Sequence, residues 1–91
     1  MSSSRAWDAD PSASFARRLG KSPSELGNTI DDNDCPDIWQ LDNGDIAVIG
    51  RDLTEAYRSR LPEGAHISSD ERLVIIPGST LSSAKPEIPD A

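Results

Sequence analysis

The chain has 91 residues and a mass of 9.8 kDa, which is enough for one small domain and excludes a multidomain enzyme. Its 16 Asp and Glu against 9 Lys and Arg give a formal net charge of −7, which disfavours binding along nucleic-acid phosphates because like charges repel. No apolar run is longer than four residues, so the sequence predicts no membrane-spanning segment.

The first 30 residues contain helix signals but few apolar side chains. An Asp, a Pro directly after it, two apolar residues four apart and a closing Gly are typical of a short helix. These residues are Asp10, Pro11, Phe15, Leu19 and Gly20. Ser22 and Glu25 form a second capping-box pattern. We expect residues 1–30 to be an N-terminal arm that is partly helical or disordered.

An acidic segment follows, with four carboxylates in seven residues. They are Asp31, Asp32, Asp34 and Asp37. Their spacing does not match a calcium-binding EF-hand loop, because no start within the segment places a Gly at the sixth position. We expect no metal here. The alternatives left open are a solvated acidic loop and a docking patch for Arg or Lys side chains of a partner.

The strongest local signal is a β-hairpin. Two β-prone runs, Ile38–Leu41 and Ile46–Ile49, flank Asn43 and Gly44, a pair that favours a two-residue type I′ turn. The register of such a turn places four apolar side chains on one face, which we expect to be core. They are Trp39, Leu41, Ile46 and Val48.

A helix is predicted directly after the hairpin. Asp52 and Glu55 have the spacing of a capping box, and apolar residues recur at helical intervals until Pro62 ends the pattern. The predicted helix covers residues 52–61. Within it, Arg58 is placed to pair with Glu55 one turn earlier.

The last third of the chain predicts another strand. Arg72–Ile76 is a short apolar run without alternation, which indicates burial on both faces and a central position in the sheet. Ala65–Ser68 is a candidate edge strand, joined to it by a turn. Residues 79–85 favour one or two helical turns before Pro86, and residues 86–91 are expected to be a loose C-terminal tail.

The apolar residues are concentrated in the middle of the chain. Between residues 38 and 76 there are 12 Leu, Ile or Val, whereas the other 52 positions hold 6 Leu, Ile, Val or Phe. Only the middle can bury enough surface to offset the entropy of ordering the chain. We therefore predict an α+β domain over residues 31–85: a small, mostly antiparallel sheet of three or four strands, with helix 52–61 packed on one face.

Residues that could carry catalysis are scarce. Cys35 is the single cysteine and His66 the single histidine, so no internal disulfide forms and a catalytic Cys–His pair would need two isolated residues to meet. The six glycines stand singly and form no phosphate-binding loop. We expect a non-enzymatic protein with no catalytic residue and no cofactor, with little room for a pocket of roughly 300 Å³ beside its core.

Three segments together resemble a known group of proteins. They are Cys35 to Trp39, Gly44 to Asp52, and Leu73 to Pro77 followed by Leu81 and Ala84, which cover roughly half of the chain. They resemble small acidic actinobacterial proteins of the BldB type and the companions of helix-turn-helix regulators. The resemblance implies a non-enzymatic, dimeric partner of a DNA-binding regulator, with no catalytic residues to transfer.

We therefore expect a cytoplasmic, acidic protein–protein interaction module that contacts neither nucleic acid nor membrane directly. The cytoplasm follows from the lone cysteine and the lack of an apolar segment at residues 1–8. The expected partner is a protein, such as a DNA-binding regulator, or a second copy in a homo-oligomer. The alternative is an antitoxin- or immunity-type inhibitor whose acidic surface mimics nucleic acid. The candidate partner-binding residues are Asp31, Asp32, Asp34, Asp37, Trp7 and Trp39.

Overall fold

The computed structural model describes residues 6–30 and 35–89 and confirms the α+β class. A three-stranded antiparallel sheet has the order β1-β2-β3, and β4 pairs with β5 in a second, two-stranded antiparallel sheet. The elements are β1 Phe15–Arg18, β2 Asp37–Leu41, β3 Ile46–Ile49, β4 Arg51–Asp52, α1 Thr54–Tyr57, β5 Val74–Ile75 and α2 Gly78–Ala84. Short 3-10 turns, Arg58–Arg60 and Lys85–Glu87, follow the two helices. Among the described residues, no helix combines the length and apolar character needed to cross a membrane.

The hairpin between β2 and β3 forms where Asn43 and Gly44 predict it, but its turn has three residues instead of two. The backbone N–H of Leu41 donates to the carbonyl of Asp45 at 2.8 Å, and that of Gly44 donates to the carbonyl of Leu41 at 3.0 Å. Gly44 has a φ of 91°, a left-handed conformation that glycine adopts without steric cost. This is a type I turn closed by a left-handed glycine, a common three-residue hairpin.

The longer turn shifts the register by one residue and makes the predicted core face wrong. Ile38 lies opposite Val48 and Trp39 opposite Ala47. Because side chains alternate along a strand, a shift of one residue in a single strand changes which side chains share a face. Ile38 and Val48 therefore lie on one face of the sheet, and Trp39 and Leu41 lie on the other.

Residues 15–18 form strand β1, so the helix expected in this part of the arm is wrong. The strand pairs with β2, and the N–H of Leu19 donates to the carbonyl of Ile38 at 2.9 Å. This pairing satisfies backbone groups along β2 that a helix would leave without partners. The Asp10 carboxylate accepts bonds from the N–H and hydroxyl of Ser12, which forms a local turn in place of a helix cap.

The core is small and joins the two ends of the described chain. Leu19, Ile38 and Ala84 are buried together, with Ile76 packed against them. α2 therefore packs on the β2 face that carries Ile38. Within the described residues α2 has seven residues and α1 has four. The helix packed on the sheet is therefore α2, and the prediction that helix 52–61 takes this place is wrong.

The C-terminal segment is held against β1 where it was expected to be loose. The guanidinium of Arg17 donates to the backbone carbonyl of Glu87 at 2.9 Å. The Glu87 carboxylate accepts the N–H of Gly20. The chain up to residue 87 is therefore part of the folded unit.

The predicted helix over residues 52–61 is shorter than its sequence pattern. Asp52 accepts bonds from the N–H of Thr54 at 3.0 Å and from its hydroxyl at 2.7 Å, so the helix begins at Thr54. Glu55 does not complete a capping box; it pairs with Arg58 at 3.0 Å, which confirms that predicted ion pair. The capping box at Ser22 does form, since its N–H and hydroxyl exchange bonds with Glu25, although no helix follows.

The predicted central strand Arg72–Ile76 is also wrong in its position. Only Val74 and Ile75 form a strand, β5, and both side chains are exposed. Its partner is β4, which directly follows Gly50. A Cβ atom at position 50 would lie only 2.6 Å from the carbonyl oxygen of Ile75, so the close approach of the two segments requires a glycine. The candidate strand Ala65–Ser68 has no strand structure, and the turn after it is confirmed.

Candidate interaction surface

The face of the three-stranded sheet opposite α2 carries apolar side chains that nothing in the described chain covers fully. Ile38 packs toward α2, so the alternating positions of the strands direct their side chains to the other side. We call this surface the open face; its residues are Phe15, Trp39, Leu41, Ala47 and Ile49. The Phe15 side chain is 62% exposed and that of Ile49 is 50% exposed.

Aromatic contacts hold the centre of the open face. The rings of Phe15 and Trp39 meet edge to face, with centroids 5.6 Å apart and an interplanar angle of 71°. Trp39 also forms a cation–π pair with Arg18, whose guanidinium lies 4.8 Å from the centroid of the Trp39 ring. Trp39 is therefore a half-buried anchor, and Phe15 is the ring that remains accessible to another molecule.

Asp37 is occupied within the fold. Its carboxylate is buried and accepts bonds from Arg18 at 3.0, 3.1 and 3.2 Å, including an ion pair at 3.0 Å. Such a bidentate pair neutralises the Arg18 guanidinium, which lies beside Trp39 on the open face. The expectation that Asp37 is an exposed docking carboxylate does not match this position, and we leave Asp37 out of the surface.

The hairpin turn supplies an acidic rim beside the open face. Asp42 is the first residue of the turn, directly after Leu41, and Asp45 lies directly before β3. Asp42 is fixed against the segment before β1, since its carboxylate accepts the N–H of Ser14 at 3.2 Å and its own N–H donates to the carbonyl of Ser14 at 2.9 Å. The surface thus combines apolar side chains with negative charge in a chain whose net charge is −7.

The other predicted partner-binding residues are not brought together with Trp39. Trp7 is 62% exposed. It lines a groove of about 550 Å³ together with residues of the 61–73 segment, including His66, and none of the open-face residues lines this groove. Asp31, Asp32 and Asp34 lie outside the described residues. The two tryptophans therefore belong to separate surfaces.

A second groove, of about 600 Å³, opens between the two sheets, so the expectation of little room for a pocket is wrong. Its wall is mostly apolar, and it holds Cys35, whose thiol donates to the Thr29 hydroxyl at 3.7 Å. Cys35 and His66 line different grooves and are not brought together. Among residues 6–30 and 35–89, no three His, Cys, Asp or Glu side chains are grouped as a metal site would need.

Comparison with protein-family models, with curated proteins and with solved structures found no match to this chain. The resemblance to the BldB type and to companions of helix-turn-helix regulators therefore stays a prediction.

Sequence reasoning missed Phe15 and Ile49 as residues of the open face. It assigned Phe15 to a helix, and the expected two-residue turn placed Ile49 on the face opposite Trp39. The tripeptide Asp42-Asn43-Gly44 was the signal available, since it fits a three-residue turn as well as Asn43-Gly44 fits a shorter one.

Proposed function

We propose that this chain is a non-enzymatic interaction module of the cytoplasm that binds a basic protein through the open face and its acidic rim. The acidic segment of Asp31, Asp32 and Asp34 is part of the same proposal, because its charge favours the same class of partner. The proposed partner is a DNA-binding regulator, on the strength of the sequence resemblance alone.

One observation supports the proposal above the others: the imbalance between buried and exposed apolar side chains. Among the described residues, the buried apolar core consists of Leu19, Ile38 and Ala84, whereas ten large hydrophobic side chains are exposed. A core this small contributes little stability, and covering exposed apolar surface is the main driving force of association. The open face holds two of these ten side chains, Phe15 and Ile49, on the same sheet surface as the half-buried Trp39, Leu41 and Ala47. An apolar surface of this kind is typical of a protein-binding site.

The charge pattern indicates the chemistry of the partner. Asp42 and Asp45 lie at the end of the open face, while the positive charge of Arg18 is already paired with Asp37. A basic partner is therefore attracted to this surface, and an acidic one is repelled. Arg and Lys side chains around an apolar centre on the partner would complement both features.

The experiment is capture of partners by the full chain from its native host, with identification of each captured protein. The test variant is Phe15→Ser, and the matched control is Leu81→Ser, which removes an apolar side chain of similar exposure from α2. We expect a basic protein that binds the native chain and the control, is retained at least about tenfold less by Phe15→Ser, and is released as salt rises.

Three results would contradict the proposal: no specific partner, equal capture by Phe15→Ser and the native chain, or a captured protein that is acidic. Exchange of Asp31, Asp32 and Asp34 for Lys should also weaken capture, and unchanged capture removes that segment from the surface. A captured toxic enzyme, inhibited by this chain, would favour the inhibitor function over the regulator's companion.

A further inference from the structure

The strand β3 forms one edge of the three-stranded sheet. It pairs on one side with β2, and the sheet order β1-β2-β3 leaves its other side without a neighbouring strand. Within residues 6–30 and 35–89, no hydrogen bond ties that side of β3 to another segment. An unpaired edge can accept a further strand unless the protein blocks it.

The register of the hairpin decides which backbone groups of β3 point outward. The N–H of Leu41 donates to the carbonyl of Asp45, and residues that exchange such bonds recur at every second position of an antiparallel ladder. Every second residue after Asp45 therefore directs its N–H and C=O toward β2. The N–H and C=O groups of Ile46 and Val48 point away from β2, and we call these groups the outer edge.

The outer edge lacks the features that block the edges of natural sheets. β3 has the sequence Ile-Ala-Val-Ile, with no Lys, no Pro and no charged side chain. Ile46 is 49% exposed and Val48 is 43% exposed, so the side chains beside the outer edge are accessible and apolar. These features favour the addition of an extended segment with apolar side chains of its own.

The charges near β3 favour a basic segment over a second copy of this chain. Asp45 directly precedes β3, Asp42 lies in the same turn, and the chain has a net charge of −7. Two copies of such a chain repel each other, whereas a cationic segment is attracted. In peptide recognition by strand addition, main-chain hydrogen bonds supply affinity and alternate side chains supply specificity.

Alternation along β3 gives the chemistry of the segment. Both pairings of the sheet are antiparallel, and an antiparallel addition places hydrogen-bonded partners opposite Ile46 and Val48. The residue opposite Asp45 then belongs to a non-hydrogen-bonded pair, whose Cα atoms lie about 4.5 Å apart, so a Lys or Arg there closely approaches the carboxylate. Ala47 and Ile49 share the open face with Asp45 and favour apolar residues opposite them.

We propose that the basic partner contributes an extended segment that pairs antiparallel with the outer edge of β3, as a fourth strand of the sheet. A Lys or Arg of the segment lies beside Asp45, and apolar residues lie beside Ala47 and Ile49. The segment satisfies the outward N–H and C=O groups of Ile46 and Val48, and its side chains extend the open face. This strand addition rests on the proposed function, because it states how the same partner is held.

The first test repeats the capture of partners with Val48→Pro. The Val48 N–H points away from β2, so proline removes an outward donor and no bond of the hairpin. The matched control is Val48→Thr, which keeps the N–H and a β-branched side chain. We expect the basic partner to bind the control normally and to be retained at least about fivefold less by Val48→Pro. Capture that depends on Phe15 but is unchanged by Val48→Pro overturns strand addition and leaves the proposed function intact.

The second test uses a synthetic peptide and does not depend on how Val48→Pro folds. The probe is acetyl-Val-Val-Phe-Val-Arg-Lys-amide with a fluorophore on its Lys, and its binding to the full chain is measured by fluorescence anisotropy. Methyl groups on the backbone nitrogens of its second and fourth residues, which face Val48 and Ile46, should weaken binding at least about tenfold. A methyl group on the third backbone nitrogen, which points away from β3, should not. Equal binding of the two methylated peptides would overturn the proposal, whereas the expected difference without any captured partner would contradict only the proposed function.

Charge exchange tests the position of the cation in the same assay. Asp45→Lys should reverse the preference of the chain from the Arg peptide to the same peptide with Glu in place of Arg. Glu63→Lys makes the same charge change at an exposed position of another segment and should keep the preference for Arg. A preference that Asp45→Lys leaves unchanged would overturn the proposal. A native chain that is dimeric by light scattering and monomeric as Val48→Pro would place a second copy at the edge and also overturn it.

Discussion

Two glycines with similar backbone dihedral angles have different surroundings. Gly20 has a φ of 84° and Gly44 a φ of 91°, both in the left-handed region. A Cβ atom at Gly20 would lie 2.5 Å from the hydroxyl of Ser83 and 2.8 Å from the backbone nitrogen of Ala84, whereas Gly44 has nothing within 4 Å. The first glycine therefore permits β1 and α2 to approach closely, and the second only turns the chain.

This difference predicts unequal effects of alanine at the two positions. Gly44→Ala should cost about 1–2 kcal/mol of unfolding free energy, from the left-handed backbone alone. Gly20→Ala adds a steric clash against α2 and should cost about 1–3 kcal/mol more. Urea denaturation of the two variants measures both. Equal losses would mean that α2 does not pack as closely on residue 20 as the structure shows.

At the scale of elements, the start of α1 depends on one carboxylate. The hydroxyl and the N–H of Thr54 hydrogen-bond to Asp52 and, with the nearby Arg72, hold the pKa of Asp52 below its usual 3.8. A lowered pKa in the folded state means that the unfolded state binds the proton more readily. The stabilisation is therefore fully present above pH 3.8 and is lost as the pH falls through the lower, folded value.

The lowered pKa of Asp52 predicts how the start of α1 responds to acid. On lowering the pH past 3.8, the amide resonance of Thr54 should shift as Asp52 gains its proton, and the first turn of α1 should loosen. Asp52→Asn should abolish that titration while keeping the hydrogen bond, because an Asn side-chain oxygen also accepts the Thr54 N–H. Glu63→Gln, at an exposed position, is the control and should leave the titration in place. Persistence of the same shift in Asp52→Asn would exclude this carboxylate as its cause.

The elements show why local patterns predicted some of this fold and missed the rest. The Asn43–Gly44 hairpin, the Glu55–Arg58 pair and the helix before Pro86 each depend on residues within a few positions of one another, and each forms. β1 and β5 have their partners more than 15 positions away along the chain. Such pairings are fixed by tertiary contacts that override local propensity.

For the candidate interaction surface too, local patterns predicted single elements but not the pairing between distant segments of the chain. Trp39 could be assigned to a strand face from alternation, but which face was open depended on a turn one residue longer than expected. Phe15 could not be placed beside Trp39 at all, because the pairing of β1 with β2 has no local signal. The buried Arg18–Asp37 pair likewise depends on that pairing, so sequence reasoning left Asp37 among the exposed carboxylates.

At the scale of the whole molecule, the N-terminal residues are part of the fold and not an appendage to it. β1 pairs with β2, and Leu19 is one of the three buried apolar residues in the part of the chain that the structure describes. Gly20 and Arg17 bind the C-terminal segment at Glu87. The sheet and the core are therefore built from both sides of the acidic segment. A folded unit confined to residues 31–85 would lack all of these contacts.

Removal of the first 20 residues should therefore abolish the cooperative unfolding transition of the remaining chain. Loss of a buried leucine alone costs about 2–5 kcal/mol, against a total stability of roughly 5–15 kcal/mol for a natural domain. The shortened chain also loses the β1 ladder and exposes that side of β2. A chain shortened to begin at residue 10 keeps β1 and Leu19, and it should unfold cooperatively with a nearly native urea midpoint. Circular dichroism during urea titration distinguishes the two, and a cooperative transition in the chain that begins at residue 21 would show that residues 31–85 fold without the N-terminal arm.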